Sequence, residues 1–352
     1  LHPPRPPTHP PPPPPLPPPD APQTHLPPPT HPAPRPGGAQ QLLCNRAAPD
    51  TPDSTTATRR IKKSEYDKCQ KNGVTDIVEV LVGYDGIAVA NSKQAQQMKL
   101  SRKDLYMALA KLIPGADGKL IENPHKTWKD VNASLPAIKI EVLGPPPTSG
   151  TRDAFAELAL GGGAKKIDDL KTLRGLKADK KDDILAMMDK LGLSSSLYEE
   201  LEKKKGKAPK GKDIFKAVAH AVREDGAYIE AGENDNLIVQ KLAANPDALG
   251  VFGFSFLEEN GDKVQGSLID GVAPSFDSIA SGDYPVSRPL YFYIKKAHVG
   301  KIPGIQEYAA TFASEKAMGE DGYLPEKGLI PLNKKALEKV QADIKNLKSL
   351  VL

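Results

Sequence analysis

The chain has 352 residues, a formal net charge of +4, and 39% hydrophobic but only 5% aromatic residues. That length accommodates two domains of ordinary size and a sizeable core. The weak charge and scarce aromatics argue against nucleic acid as a partner, and no apolar run reaches the length of a membrane span.

Residues 1–36 hold twenty of the 36 prolines, with "HPPPPPPLPPPDAP" as the extreme. Such a run favours polyproline II, supplies no hydrogen-bond ladder and offers almost nothing to bury. It reads either as a disordered ligand or spacer for proline-binding grooves, or as the out-of-frame product of a GC-rich gene. The chain opens on Leu1 rather than methionine, which marks a start that is missing or processed, and no secretory signal is visible.

From about residue 37 the texture turns globular. "TDIVEVLVGYDGIAVANS" is β-rich with a glycine turn in its middle, and "SRKDLYMALAKLI" is a helix with Ser101 as N-cap. "KTWKDVN" reads as a turn-rich connection. "PAIKIEVLG" is a strand that leads into "GPPPTSGTRDAF", and "TRDAFAELALGG" is a helix closed by glycines. At that helix start the free N–H groups, the dipole and the hydroxyls of the Thr-Ser-Gly-Thr step suit an oxyanion such as phosphate or sulfate. Taken alone, the stretch reads first as a Ser/Thr cap with no ligand, because caps far outnumber ligand sites. The order strand, motif, helix is what an anion site at the carboxyl end of an α/β sheet requires.

Residues 164–212 are rich in Lys, Asp and Leu at helical intervals. Both charge signs are interspersed, which predicts an amphipathic helical insertion with solvated charges rather than a basic docking surface. In the helix "IFKAVAHAVRED", His220 lies on the apolar face and reads as a packed side chain rather than a catalytic one. The strand "RPLYFYIKKAHV" and the helices "GIQEYAATFASEKA" and "NKKALEKVQADIKNL" complete the chain. Alternating strands and helices give an α/β class. No GxSxG elbow, HExxH, Walker A or dinucleotide fingerprint is present, so neither catalysis nor a cofactor is expected. Cys44 and Cys69 lack CxxC spacing; they fit one disulfide or two buried thiols, and no metal site.

Four ordered blocks then carry a resemblance: "RRIKKSEYDKCQKNGVTDIVEVLVGYDGIAVANSK", "TWKDVNASLPAIKIEVLGPPPTSGTRDAF", "REDGAYIEAGENDNLIVQKLAANPDALGVFGFSFL" and "VQGSLIDGVAPSFDSIASGDYPVSRPLYFYIKKAHV". Over most of residues 37–333 the chain resembles the PstS family, periplasmic phosphate-binding proteins of bacterial phosphate ABC transporters. The resemblance implies a two-lobed type II periplasmic-binding-protein fold, with lobe I built from 37–88 plus 255–352 and lobe II from 89–254. It implies a monomer in the periplasm that closes on inorganic phosphate and docks on a permease and ATPase complex. A non-transport surface, adhesion or scaffold protein on the same fold is the alternative.

Residue by residue, the family's Ser-Gly-Thr step falls on Ser149, Gly150 and Thr151. Pro145 stands where many members place an arginine. Arg59 stands where many place an aspartate, after the run "TTAT" that ends at Thr58. The resemblance thus implies that Thr58 and Arg59 serve the ligand from the first lobe and that Arg152 assists from the second. Glu230 or Asp235 would accept the proton of hydrogen phosphate. The family's first strand and Ser-Thr turn have no counterpart in the proline tract, and Pro36 replaces a hydroxyl residue of its glycine loop, which predicts impaired binding.

Overall fold

The computed structural model describes residues 42–48, 51–232 and 234–352. The proline tract 1–36 and the glycine-loop residues 37–41 lie outside them. Eleven strands are described. The first six are β1 (Ser54–Ala57), β2 (Ile77–Ser92), β3 (Lys99–Leu100), β4 (Leu112–Pro114), β5 (Leu120–Glu122) and β6 (Val142–Gly144). They are followed by β7 (Tyr228–Glu230), β8 (Leu249–Gly253), β9 (Val264–Gly266), β10 (Leu268–Ile269) and β11 (Ser287–Lys295). The fold is the expected two-lobed α/β type.

The main sheet has the order β1-β11-β2-β8-β6-β7, with β9 added to β2. Its organising element is the 16-residue β2, which changes partners along its length. Ile77–Gly86 pairs antiparallel with β11, whereas Ile87–Ala90 pairs antiparallel with β8 and the strand's end pairs with β9. Beyond β8 the pairing becomes parallel, through β6 to β7. The cores divide in the same way. Val78, Val80 and Val82 pack with Phe292, Ile294 and the helices Ile305–Phe312 and Lys334–Lys345. Ile87, Ala88, Val89 and Ala90 enter a larger core with Trp128, Phe155, Phe215 and Phe252. Four consecutive buried residues are what a strand covered on both faces demands.

Three local expectations are corrected. Gly83 is not a turn but sits at a bulge, where the register against β11 shifts between Leu290 and Tyr291. Tyr84 N–H donates to the Ile330 carbonyl at 2.9 Å, and a Cβ on Gly83 would lie 2.6 Å from that same oxygen. The glycines after "AFAELAL" do not close the helix. Gly150–Phe155 continues as a π-helical turn Ala156–Leu160 and then as Gly161–Ala164. Side chains at Gly161, Gly162 and Gly163 would strike His220 and Arg102, so the bare backbone is what lets these segments approach. "KTWKDVN" contains a short helix, Trp128–Val131, capped by Thr127. The Lys-rich stretch is helical as expected, in three pieces (Asp168–Gly175, Lys181–Lys190 and Ser196–Lys205) that bury Leu170, Leu173, Ile184, Met188 and Tyr198.

Cys44 and Cys69 form a disulfide across 25 residues, which settles the alternative left open by their spacing. Closing a loop of that size is worth about 3 kcal/mol in chain-entropy models. Next to it, the buried Lys295 donates to Thr51 Oγ1 at 2.6 Å and to the Arg46 carbonyl at 2.8 Å, while His298 Nδ1 lies 2.6 Å from Asp53 Oδ1. These contacts anchor the chain leading into β1, whose far end opens on the cleft described next.

Candidate functional site

The expected second-lobe motif lies at the carboxyl end of β6. Ser149 N–H donates to the Pro146 carbonyl at 3.0 Å, closing the proline turn, and Ser149 Oγ accepts from Thr151 N–H at 3.2 Å as the N-cap of the helix Gly150–Phe155. Gly150 is exposed, and no atom lies within 4 Å of where its Cβ would be. Three sequence-predicted residues therefore present a hydroxyl and first-turn amides toward open space, at the positive end of a helix dipole.

The neighbouring strand sets this turn in place. Tyr228, in β7, donates its hydroxyl to the Pro145 carbonyl at 3.0 Å, and burial raises its phenol pKa. The Arg152 guanidinium lies over the Tyr228 ring, 4.0 Å from its centroid, with Nη1 3.5 Å from the Pro145 carbonyl. Cation–π contact of this kind is worth about 0.5–2 kcal/mol. Gly144 is obligatory here, because a Cβ would run into the Tyr228 hydroxyl. Asp235, a candidate acceptor, is held at the same sheet end by a 3.4 Å bond from Gly253 N–H; burial pushes its carboxyl pKa up. Glu230 closes β7.

The residues expected of the first lobe open on a cleft of about 810 Å³. Thr58 and Arg59, just after β1, form part of its wall; Tyr84, Asp85, Arg288 and Tyr291 come from the centre of β2 and from β11. Glu157 and Leu158 of the π-helical turn face them, together with Lys212 and Lys216 of the helix Gly211–Ala219. Ser149, Gly150, Thr151 and Arg152 are not among the residues lining this cleft; they stand two helical turns upstream of Glu157 on the same helical run.

Arg59 carries its own counter-charge. Its Nη1 and Nη2 meet Glu65 Oε2 and Oε1 at 2.9 and 2.7 Å, and Nη1 also donates to the Arg60 carbonyl at 3.0 Å. Burial works to raise the Glu65 pKa, but the Arg59 bonds and the Lys62 amide outweigh it and the carboxyl is held below its ordinary value. Arg288 is likewise paired, with Nε 3.0 Å from Asp85 Oδ2. The sequence reading missed Glu157, Lys212 and Lys216 as cleft residues. Lys212 and Lys216 recur four residues apart on a helix whose other face is Ile214, Phe215 and Val218, a spacing that aims both lysines the same way.

Among the described residues, no group of three or more His, Cys, Asp or Glu side chains is placed to hold a metal, and no helix is long and apolar enough to cross a membrane. His220 caps the helix Gly211–Ala219 and packs against Gly161; burial, then the charge of Lys216, lowers its pKa to about 4.

Comparison with known proteins agrees with this architecture. Protein SphX of Synechococcus elongatus is 25% identical over 297 residues, spanning 82% of this chain and 66% of its own length. Phosphate-binding protein PstS of Staphylococcus haemolyticus is 25% identical over 284 residues, 78% of this chain and 66% of its own. The chain thus spans just under two thirds of the length of these curated relatives. The crystal structure of a possible phosphate binding protein from Planctomyces limnophilus superposes with a TM-score of 0.58 at 23% identity, covering 85% of this chain and 82% of that one, a likeness of fold. The PstS resemblance read from the sequence is borne out by these relatives. A family model described as "PBP superfamily domain" matches residues 27–316, beginning inside the proline tract, and the chain belongs to that family.

Proposed function

We propose that this chain binds inorganic phosphate between its two lobes and hands it to the permease of a phosphate ABC transporter, working outside the cytoplasmic membrane as a non-catalytic monomer. The carrying observation is the open helix start at Ser149, Gly150 and Thr151. Phosphate oxygens would accept from the Ser149 and Thr151 hydroxyls and from first-turn amides, replacing the long Ser149–Thr151 capping bond of 3.2 Å. Arg152, already lodged on Tyr228, adds positive charge without being buried unpaired.

Thr58 and Arg59 would close from the first lobe. The lobe division proposed is 37–88 plus 255–352 against 89–254, and its first crossing falls beside the residue where β2 changes partners. Hinge closure about such crossings is a common ligand-coupled motion. The name of the PstS relative, a phosphate-binding protein, and the basic character of the cleft support the reading. Isothermal titration of the full chain with phosphate and sulfate tests it. Saturable heat with phosphate is expected, and no heat with either anion overturns it.

A further inference from the structure

The charges of the Lys-rich insertion are mixed in composition but sorted along its end. Residues 203–212, "KKKGKAPKGK", hold six lysines and no acid, and all six lysines are exposed. The glutamates of the same helix, Glu199, Glu200 and Glu202, precede them, farther along the chain from the cleft. The backbone that displays the lysines is fixed. Gly206, in the left-handed region, ends the helix Ser196–Lys205, whose last residue pairs with Asp213 at 2.5 Å. Pro209 and Gly211 are buried; Gly211 N–H donates to the Leu176 carbonyl at 3.0 Å, and a Cβ on it would strike the Leu173 carbonyl. Buried Pro209 and Gly211 thus alternate with exposed Lys210 and Lys212, which makes the loop a ledge rather than a loose tail.

This ledge leads to the cleft. Lys212 and Lys216 line it, and Lys210 is the N-cap of their helix. Two residues of chain span at most about 7 Å, so the Lys210 backbone lies within a Debye length of Lys212 at about 0.1 M salt. Lys207 is at most about 18 Å from Lys212, within reach at about 0.01 M. Among the described residues Lys203, Lys204, Lys207 and Lys210 form no ion pair, whereas the nearby acids are engaged. Asp213 takes Lys205 and the Lys210 amide, and Glu157 lies 4.0 Å from Lys216. Uncompensated cations beside a cleft raise the local anion concentration and the association rate, an effect that falls steeply with salt.

We infer that Lys203, Lys204, Lys207 and Lys210 form a steering surface that draws the small oxyanion toward the cleft. They set how fast the ligand arrives and how strongly salt slows it, and they take no part in holding it. The inference rests on the phosphate reading above and adds to it a rate-setting surface outside the site.

The test measures both rates for the full chain with orthophosphate. Calorimetry gives Kd, phosphorus NMR exchange gives the dissociation rate, and their ratio gives the association rate. Between about 0.02 and about 0.3 M salt the parent's association rate should fall several-fold. Lys203→Gln with Lys204→Gln, Lys207→Gln and Lys210→Gln should lower it at least threefold at the low-salt end, flatten its salt dependence and leave dissociation within twofold. A control removes the same charge elsewhere: Lys93→Gln, Lys129→Gln, Lys334→Gln and Lys335→Gln, all exposed and none lining the cleft. Its association rate should stay close to the parent's. Parent-like thermal melts show that folding is not what changed; if the ledge variant melts early, Lys203→Gln with Lys204→Gln alone replaces it. An equal loss in the ledge and control variants overturns the inference, because net charge then suffices. So does a loss carried by faster dissociation, which would make the lysines ligands. Phosphate binding whose association rate is indifferent to the ledge removes this inference alone; no phosphate binding by the parent removes the earlier reading and this one with it.

Discussion

The loop after β1 and the turn after β6 offer polar groups of opposite kinds. At the first, Arg59 is already satisfied: Glu65 takes both ends of its guanidinium, and the same carboxylate accepts the Lys62 amide that starts the following helix. At the second, the Ser149 hydroxyl accepts only the Thr151 amide among the described residues, over open space at Gly150. A ligand anion must compete with a resident carboxylate in the first case and merely replaces a long capping bond in the second. Binding strength should therefore reside mainly in the second-lobe turn, with the charge of Arg59 largely spent on its own loop.

The sharpest way to break that comparison is to remove the hydroxyls. Ser149→Ala with Thr151→Val deletes two hydrogen bonds to a charged ligand, each worth about 1.5–3 kcal/mol. Phosphate affinity should fall at least about 100-fold by titration calorimetry. The Ser149 change also removes a cap, so a stability loss of about 1 kcal/mol should accompany it in thermal melts. An affinity within threefold of the parent would place the ligand elsewhere.

A smaller effect follows from the support beneath the turn. In Gly144→Ala the new methyl competes with the Tyr228 hydroxyl, which must leave the Pro145 carbonyl and carry Arg152 with it. Overpacking of this kind costs about 1–3 kcal/mol. A lowered melting temperature together with a several-fold loss of phosphate affinity would tie the cradle to β7. Lowered stability with intact affinity would separate them.

How much of this was legible in the sequence differs between the two regions for a physical reason. The turn after β6 is local: strand, proline turn, cap and helix are contiguous, so the capped helix start at Ser149, Gly150 and Thr151 is legible from their order, whereas a ligand there is implied only by the family resemblance. The charge balance of the loop after β1 is also short-range, yet it hides in side-chain geometry. Nothing in "TTATRRIKKSEYDKC" says whether Glu65 faces Arg59 or solvent. The bulge at Gly83 and the buried run Gly161–Gly163 were misread because only contacts with Ile330, Arg102 and His220, distant in the chain, require a missing side chain there. Composition places Lys212 at the end of a solvated insertion and leaves Lys216 on the next helix without a role, whereas packing of their common helix brings both to the cleft.

The smallest effect, and the most discriminating, belongs to Arg59. An exposed ion pair contributes about 0–1 kcal/mol to stability, so Arg59→Ala should leave the melting temperature at neutral pH almost unchanged. The pH dependence should change. Glu65, with its folded pKa below the ordinary 4.5, stabilises the parent fully above that value and loses its contribution as pH falls through the folded pKa. Without Arg59 the carboxyl pKa moves back toward the ordinary value, and this part of the acid limb of melting temperature against pH should flatten. Phosphate affinity should drop by about tenfold or less, about 1.4 kcal/mol, because the variant removes a charge that Glu65 already neutralises. A thousandfold loss would mean that closure frees Arg59 from Glu65 and turns it onto the ligand, making the two halves of the clamp equal.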